Sequence, residues 1–64
     1  MPNRVKEYRT RRGLSQEGLA IKSGIGRSTI SEIEAEKHDP TVSVAAALAR
    51  ALGVTIEELF CIEL

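Results

Sequence analysis

The sequence predicts an all-α domain of five short helices, the second and third folded across a sharp turn as a helix-turn-helix. Three observations carry this. Capping residues Ser15, Thr41 and Thr55 stand at expected helix starts, and Gly13, Gly24 and Gly53 follow expected helix ends. Ile30 and Ile33 recur at i, i+3, the spacing of one helix face. The stretch from Gln16 to Ala35, QEGLAIKSGIGRSTISEIEA, places small Ala20 where two helix backbones must approach and Gly24 at the turn. A residue with a Cβ would adopt the left-handed conformation there only at a cost of about 1 to 2 kcal/mol.

Taken in order, the first helix is expected from about Arg4 to Arg12, with Asn3 as a candidate cap and Gly13 as its stop. The second begins after Ser15, with Leu14 and Leu19 spaced as a hydrophobic staple. Gly18 inside it weakens it by up to about 1 kcal/mol relative to a good helix former. The third runs from Arg27 to about Glu36, with Ile30 and Ile33 inward and Arg27, Ser28, Ser31 and Glu32 on the polar face. Pro40 disfavours helical geometry at the residue before it and closes the loop Lys37 to Pro40. Thr41 opens a fourth helix, Val42 to Leu52, whose alanines allow close packing. Thr55 and Glu58 form a capping box, and Val54 and Leu59 a staple, so the fifth helix starts at Ile56. The apolar tail Cys61-Ile62-Glu63-Leu64 is left with three options: packing on the bundle, pairing as a strand, or meeting another subunit.

At 64 residues the chain is expected to form one domain, 1–64, without room for a ligand-sensing domain. The formal net charge is zero, unusual for a nucleic-acid binder, but it is unevenly distributed. Residues 1–12 hold five cations against Glu7, whereas residues 39–64 hold Arg50 against four carboxylates. Such polarity steers association even when the total cancels. The single Cys61 excludes an internal disulfide framework, and no apolar run approaches the roughly 20 residues that span a bilayer. With no signal-peptide pattern at the N-terminus, a cytoplasmic location without membrane attachment is expected. His38 has no second ligand at a metal-binding spacing, and no phosphate loop or nucleophile-base arrangement is present. Neither a metal, a cofactor, a small-molecule ligand nor an enzymatic activity is therefore expected.

Four motifs in order, GLSQEGLA (Gly13 to Ala20), SGIGRSTISEIE (Ser23 to Glu34), DPT (Asp39 to Thr41) and LARALGVTIEELF (Leu48 to Phe60), resemble those of the Cro/repressor-type (XRE, lambda-repressor-like) helix-turn-helix regulators. The family usually has an acidic residue where this chain has Gly18. The resemblance implies a five-helix DNA-binding domain that represses transcription as a homodimer on a pseudo-palindromic operator, with helix 27–36 in the major groove of double-stranded DNA. Arg27, Ser28 and Glu32 would then face bases, with Thr29 and Ser31 near bases or phosphates. Gln16 would clamp a phosphate, and Lys37 and His38 would approach the backbone. Arg suits guanine O6 and N7, and Glu accepts from cytosine N4.

Arg9 and Glu34 fall on or beside inward faces of their helices, where charges need partners. The resemblance implies that they form a structural ion pair. Ile56, Leu59, Phe60, Cys61, Ile62 and Leu64 are the candidates for the dimer contact. Two other readings use the same fold: an antitoxin or restriction-system controller, and a protein-interaction module that no longer binds DNA, the latter suited to zero net charge and Glu32.

Overall fold

The computed structural model describes residues 2–60. Five helices follow in order: α1 Val5–Arg11, α2 Gln16–Ser23, α3 Arg27–Glu34, α4 Val42–Leu52 and α5 Ile56–Phe60. The local signals operate as expected at most ends. Ser15 Oγ accepts from the Gly18 N–H at 2.9 Å and Thr41 Oγ1 from the Val44 N–H at 3.2 Å. Thr55 and Glu58 complete a reciprocal capping box, with Glu58 Oε1 accepting the Thr55 N–H and Thr55 Oγ1 the Glu58 N–H, both at 3.1 Å. Gly24 ends α2 at φ +76°, where its N–H bonds the Ala20 carbonyl.

Two ends differ. Helix α1 is one residue shorter at each end; Arg4 occupies the cap position, and Asn3 Oδ1 instead accepts the N–H of Val5. Helix α3 stops at Glu34, two residues short of the expected Glu36. Glu36 turns left-handed at φ 60°, its N–H bonding the Ile33 carbonyl while the Lys37 N–H bonds that of Glu32. These two bonds are a Schellman closure, which glycine or asparagine usually makes; glutamate carries a Cβ penalty there.

Helix α2 packs on α3 and α4, α5 on α4, and α1 closes the bundle against α3, α4 and α5. Val5, Leu19, Ile30, Ile33, Leu48 and Leu59 are wholly buried at the centre, with Tyr8, Leu14, Ala20 and Val54 around them. At about 1.5 to 3 kcal/mol for each large apolar side chain, this core is the main force holding α3 in place. Leu59 and Phe60, expected at a dimer contact, are 0% and 2% exposed within the protomer's own core. A helix of five residues has only its apolar face with which to dock, and both side chains lie on it. Ile56 is half-buried against the core; Cys61, Ile62 and Leu64 lie outside the described residues. No helix among the described residues is long and apolar enough to cross a membrane.

Candidate nucleic-acid interface

Helix α3 is amphipathic. Ile30 and Ile33 are fully buried, whereas Arg27, Ser28, Ser31 and Glu32 are exposed. Ser28 and Glu32 are four residues apart and share the outer face. Among the described residues, none of these four side chains is in a hydrogen bond or ion pair, so the face presents free donors and acceptors. Gln16 at the start of α2 and Arg27, Ser28 and Ser31 of α3 line one open groove of about 440 Å³. Glu32, Lys37 and His38 are exposed outside that lining, the last two in the loop after α3, and Thr29 is half-buried beside the turn.

Behind the groove lies the Arg9–Glu34 pair. Arg9 Nε donates to Glu34 Oε2 at 2.7 Å and Arg9 Nη2 to Oε1 at 3.2 Å, a bidentate fork. Arg9 Nη1 also donates to the Leu14 carbonyl at 2.7 Å, and the two side chains are only 11% and 6% exposed. Such pairing keeps two nearly buried charges tolerable and ties α1 to the end of α3. Gln16 joins it, its Nε2 donating to Glu34 Oε1 at 3.1 Å. Spacing alone does not reveal this third member, because Gln16 lies 18 positions from Glu34 and the resemblance assigns it to a phosphate instead.

The remaining cations divide by role. Arg11 pairs with Glu7 at 2.8 Å and lies 5.4 Å from the Tyr8 ring, both partners of the ion pair well exposed. Arg12 Nε donates to the Leu52 carbonyl at 2.9 Å, and Arg12, Lys22 and Arg50 line a second cleft of about 380 Å³. Cations around the C-terminal end of α4 complement its dipole. No group of three His, Cys, Asp or Glu able to hold a metal occurs among the described residues.

An amphipathic second helix, seated across a glycine turn and open along its polar face, defines a helix-turn-helix protein. Residues 5–59 match the helix-turn-helix family, and the chain belongs to it, in its XRE-type branch of DNA-binding transcription regulators. It is 44% identical over 63 residues to an uncharacterized HTH-type transcriptional regulator of Methanocaldococcus jannaschii, covering 98% of this chain and 96% of that one. It is 36% identical to the immunity repressor protein of Bacillus phage phi105, covering 88% of this chain and 39% of the phage protein. Among solved structures it is similar to the restriction-modification controller protein C.AhdI from Aeromonas hydrophila. The TM-score is 0.84 at 40% identity, over 89% of this chain and 86% of that one.

Proposed function

We propose that the protein is a sequence-specific regulator that binds double-stranded DNA through α3 in the major groove and represses transcription as a homodimer on an inverted repeat. The observation that carries this is the unpartnered polar face of Arg27, Ser28, Ser31 and Glu32, held outward by buried Ile30 and Ile33. Arg27 and Glu32 have the chemistry to read guanine and cytosine, and Ser28 and Ser31 adapt to either sense. Gln16 contacts a backbone phosphate at the start of α2, where the helix dipole favours an anion. Lys37 and His38 flank the same backbone.

A single small module makes a limited interface, and two copies on half-sites one helical turn apart reach useful affinity. The part of Ile56 left outside the core is the contact proposed for a second copy at the α5 end of the bundle. Likeness to a restriction-modification controller favours a second biological setting for the same binding activity, control of such a system. No small-molecule effector is part of this reading.

Selection of bound sites from a random duplex pool, followed by titration at several salt concentrations, tests it. The expected result is an inverted repeat with half-site centres roughly 34 Å apart, bound by two protomers with salt-sensitive affinity. Absence of salt-dependent binding to any duplex would favour a protein-interaction module, and a single protomer on one half-site as the tightest species would defeat dimeric binding.

A further inference from the structure

We infer that the Arg9–Glu34 pair also orients Gln16 for its contact with the DNA backbone, so that Glu34 is a positioning residue for binding as well as a scaffold residue. This rests on the DNA-binding reading above. The observation is a shared oxygen: Glu34 Oε1 accepts from Arg9 Nη2 at 3.2 Å and from Gln16 Nε2 at 3.1 Å. A carboxylate only accepts, so the Gln16 amide must turn its nitrogen toward Glu34. An amide nitrogen carries two hydrogens, and Glu34 takes one. The second N–H and the carbonyl Oε1 are left for the groove that Gln16 lines with Arg27, Ser28 and Ser31.

This arrangement resolves a conflict of charge. Glu34 bare beside a phosphate would repel it. The bidentate fork from Arg9 neutralises the carboxylate, and the amide of Gln16 stands between the two anions with a donor available to each. Arg9 is itself held by the Leu14 carbonyl at 2.7 Å, so the chain of bonds runs from α1 through the end of α3 to the first residue of α2. With Arg9 and Glu34 side chains 11% and 6% exposed, water competes weakly for these bonds. A glutamine already held in its working rotamer does not lose that freedom again on binding, which is the gain from preorganisation.

A double-mutant cycle on the full chain tests the inference, using Glu34→Asp, which keeps the charge but withdraws the carboxylate, and Gln16→Ala. Affinity for one selected duplex is measured at fixed salt, at a temperature where circular dichroism shows each variant folded. Glu34→Asp is expected to weaken binding by about 2- to 10-fold, the range of one hydrogen bond, without changing base preference. In the Gln16→Ala background the same change is expected to cost nothing further. Equal losses in both backgrounds would overturn the inference while leaving DNA binding by α3 intact; a wild type that binds no duplex would overturn the underlying reading.

Side-chain amide NMR of the DNA-free wild type supplies an arm that needs no variant. The Gln16 amide hydrogens are expected to be well separated and slow to exchange. Averaged shifts typical of a free glutamine would overturn the inference even if Glu34→Asp failed to fold.

Discussion

The side-chain amide of Asn3 donates from Nδ2 to the main-chain carbonyl of Ile33 at 2.8 Å. The same carbonyl accepts the Glu36 N–H at 3.0 Å, and Asn3 Oδ1 holds the N–H of Val5 at 3.1 Å. One side chain therefore bonds the start of α1 and the closing turn of α3. Asn3→Ala removes both bonds and is expected to lower stability by about 1 to 2 kcal/mol. Thermal melting checks this, and an unchanged midpoint would show that water replaces both bonds without loss.

Glu36 offers a substitution in the opposite direction. Its φ of 60° costs a Cβ-bearing residue about 1 to 2 kcal/mol, whereas glycine there loses about 0.5 to 1 kcal/mol more backbone entropy on folding. Glu36→Gly is expected to raise stability by up to about 1 kcal/mol, or several degrees in melting temperature for so small a domain. A lower melting temperature would mean that the glutamate side chain contributes more than its backbone strain costs.

Removing Glu34 altogether has a larger effect than moving its carboxylate. Glu34→Ala leaves Arg9 at 11% exposure with only the Leu14 carbonyl, at an expected cost of about 3 to 5 kcal/mol. Against the total stability of a small domain, that largely unfolds the protein at physiological temperature. Calorimetry of the single variant gives the answer directly; a midpoint close to wild type would show that water reaches the guanidinium.

Phe60 tests whether the C-terminal helix serves the core or a dimer contact. At 2% exposure it belongs to the protomer's core, so Phe60→Ala is expected to cost about 3 to 5 kcal/mol through the cavity it leaves. Dissociation to folded, equally stable monomers, seen by sedimentation with denaturant melts, would place Phe60 at the interface.

If the outer face of α3 reads DNA as proposed, Arg27→Ala is expected to weaken the selected site by about 1 to 3 kcal/mol and to relax preference at one base pair. Glu32 separates two roles by sign. If it accepts from cytosine, Glu32→Ala loses affinity and specificity together; if it only repels phosphate, the same change tightens binding to every duplex. Titrations of single-base variants at one salt concentration distinguish the two, and unchanged base preferences in both variants would contradict readout by α3.

Much of this molecule is written in short-range chemistry. Ser15, Thr41 and the Thr55–Glu58 box satisfy N–H groups three residues away, and Gly24 and Gly53 turn left-handed without a Cβ. Those interactions belong to neighbouring residues, so α2, α4 and α5 were legible from the chain, as was the helix-turn-helix with its inward isoleucines. The end of α3 was not. Neither glycine nor asparagine marks it, and Glu36 is held left-handed by Schellman bonds, within an α3 whose end Asn3 bonds from 30 residues away.

The sequence by itself determined the order of the helices, the family and the polar outer face of α3, because caps, turns and the i, i+3 periodicity act within a few residues along the chain. Only the tertiary structure decided which partners those residues take. Gln16 meets Glu34 across 18 positions and Arg12 meets Leu52 across 40. Leu59 and Phe60 turn into the bundle rather than outward. Apolar character states that a side chain leaves water, but not whether its own core or a second subunit receives it. That choice rests on the space left between α1 and α4 once the other helices have packed.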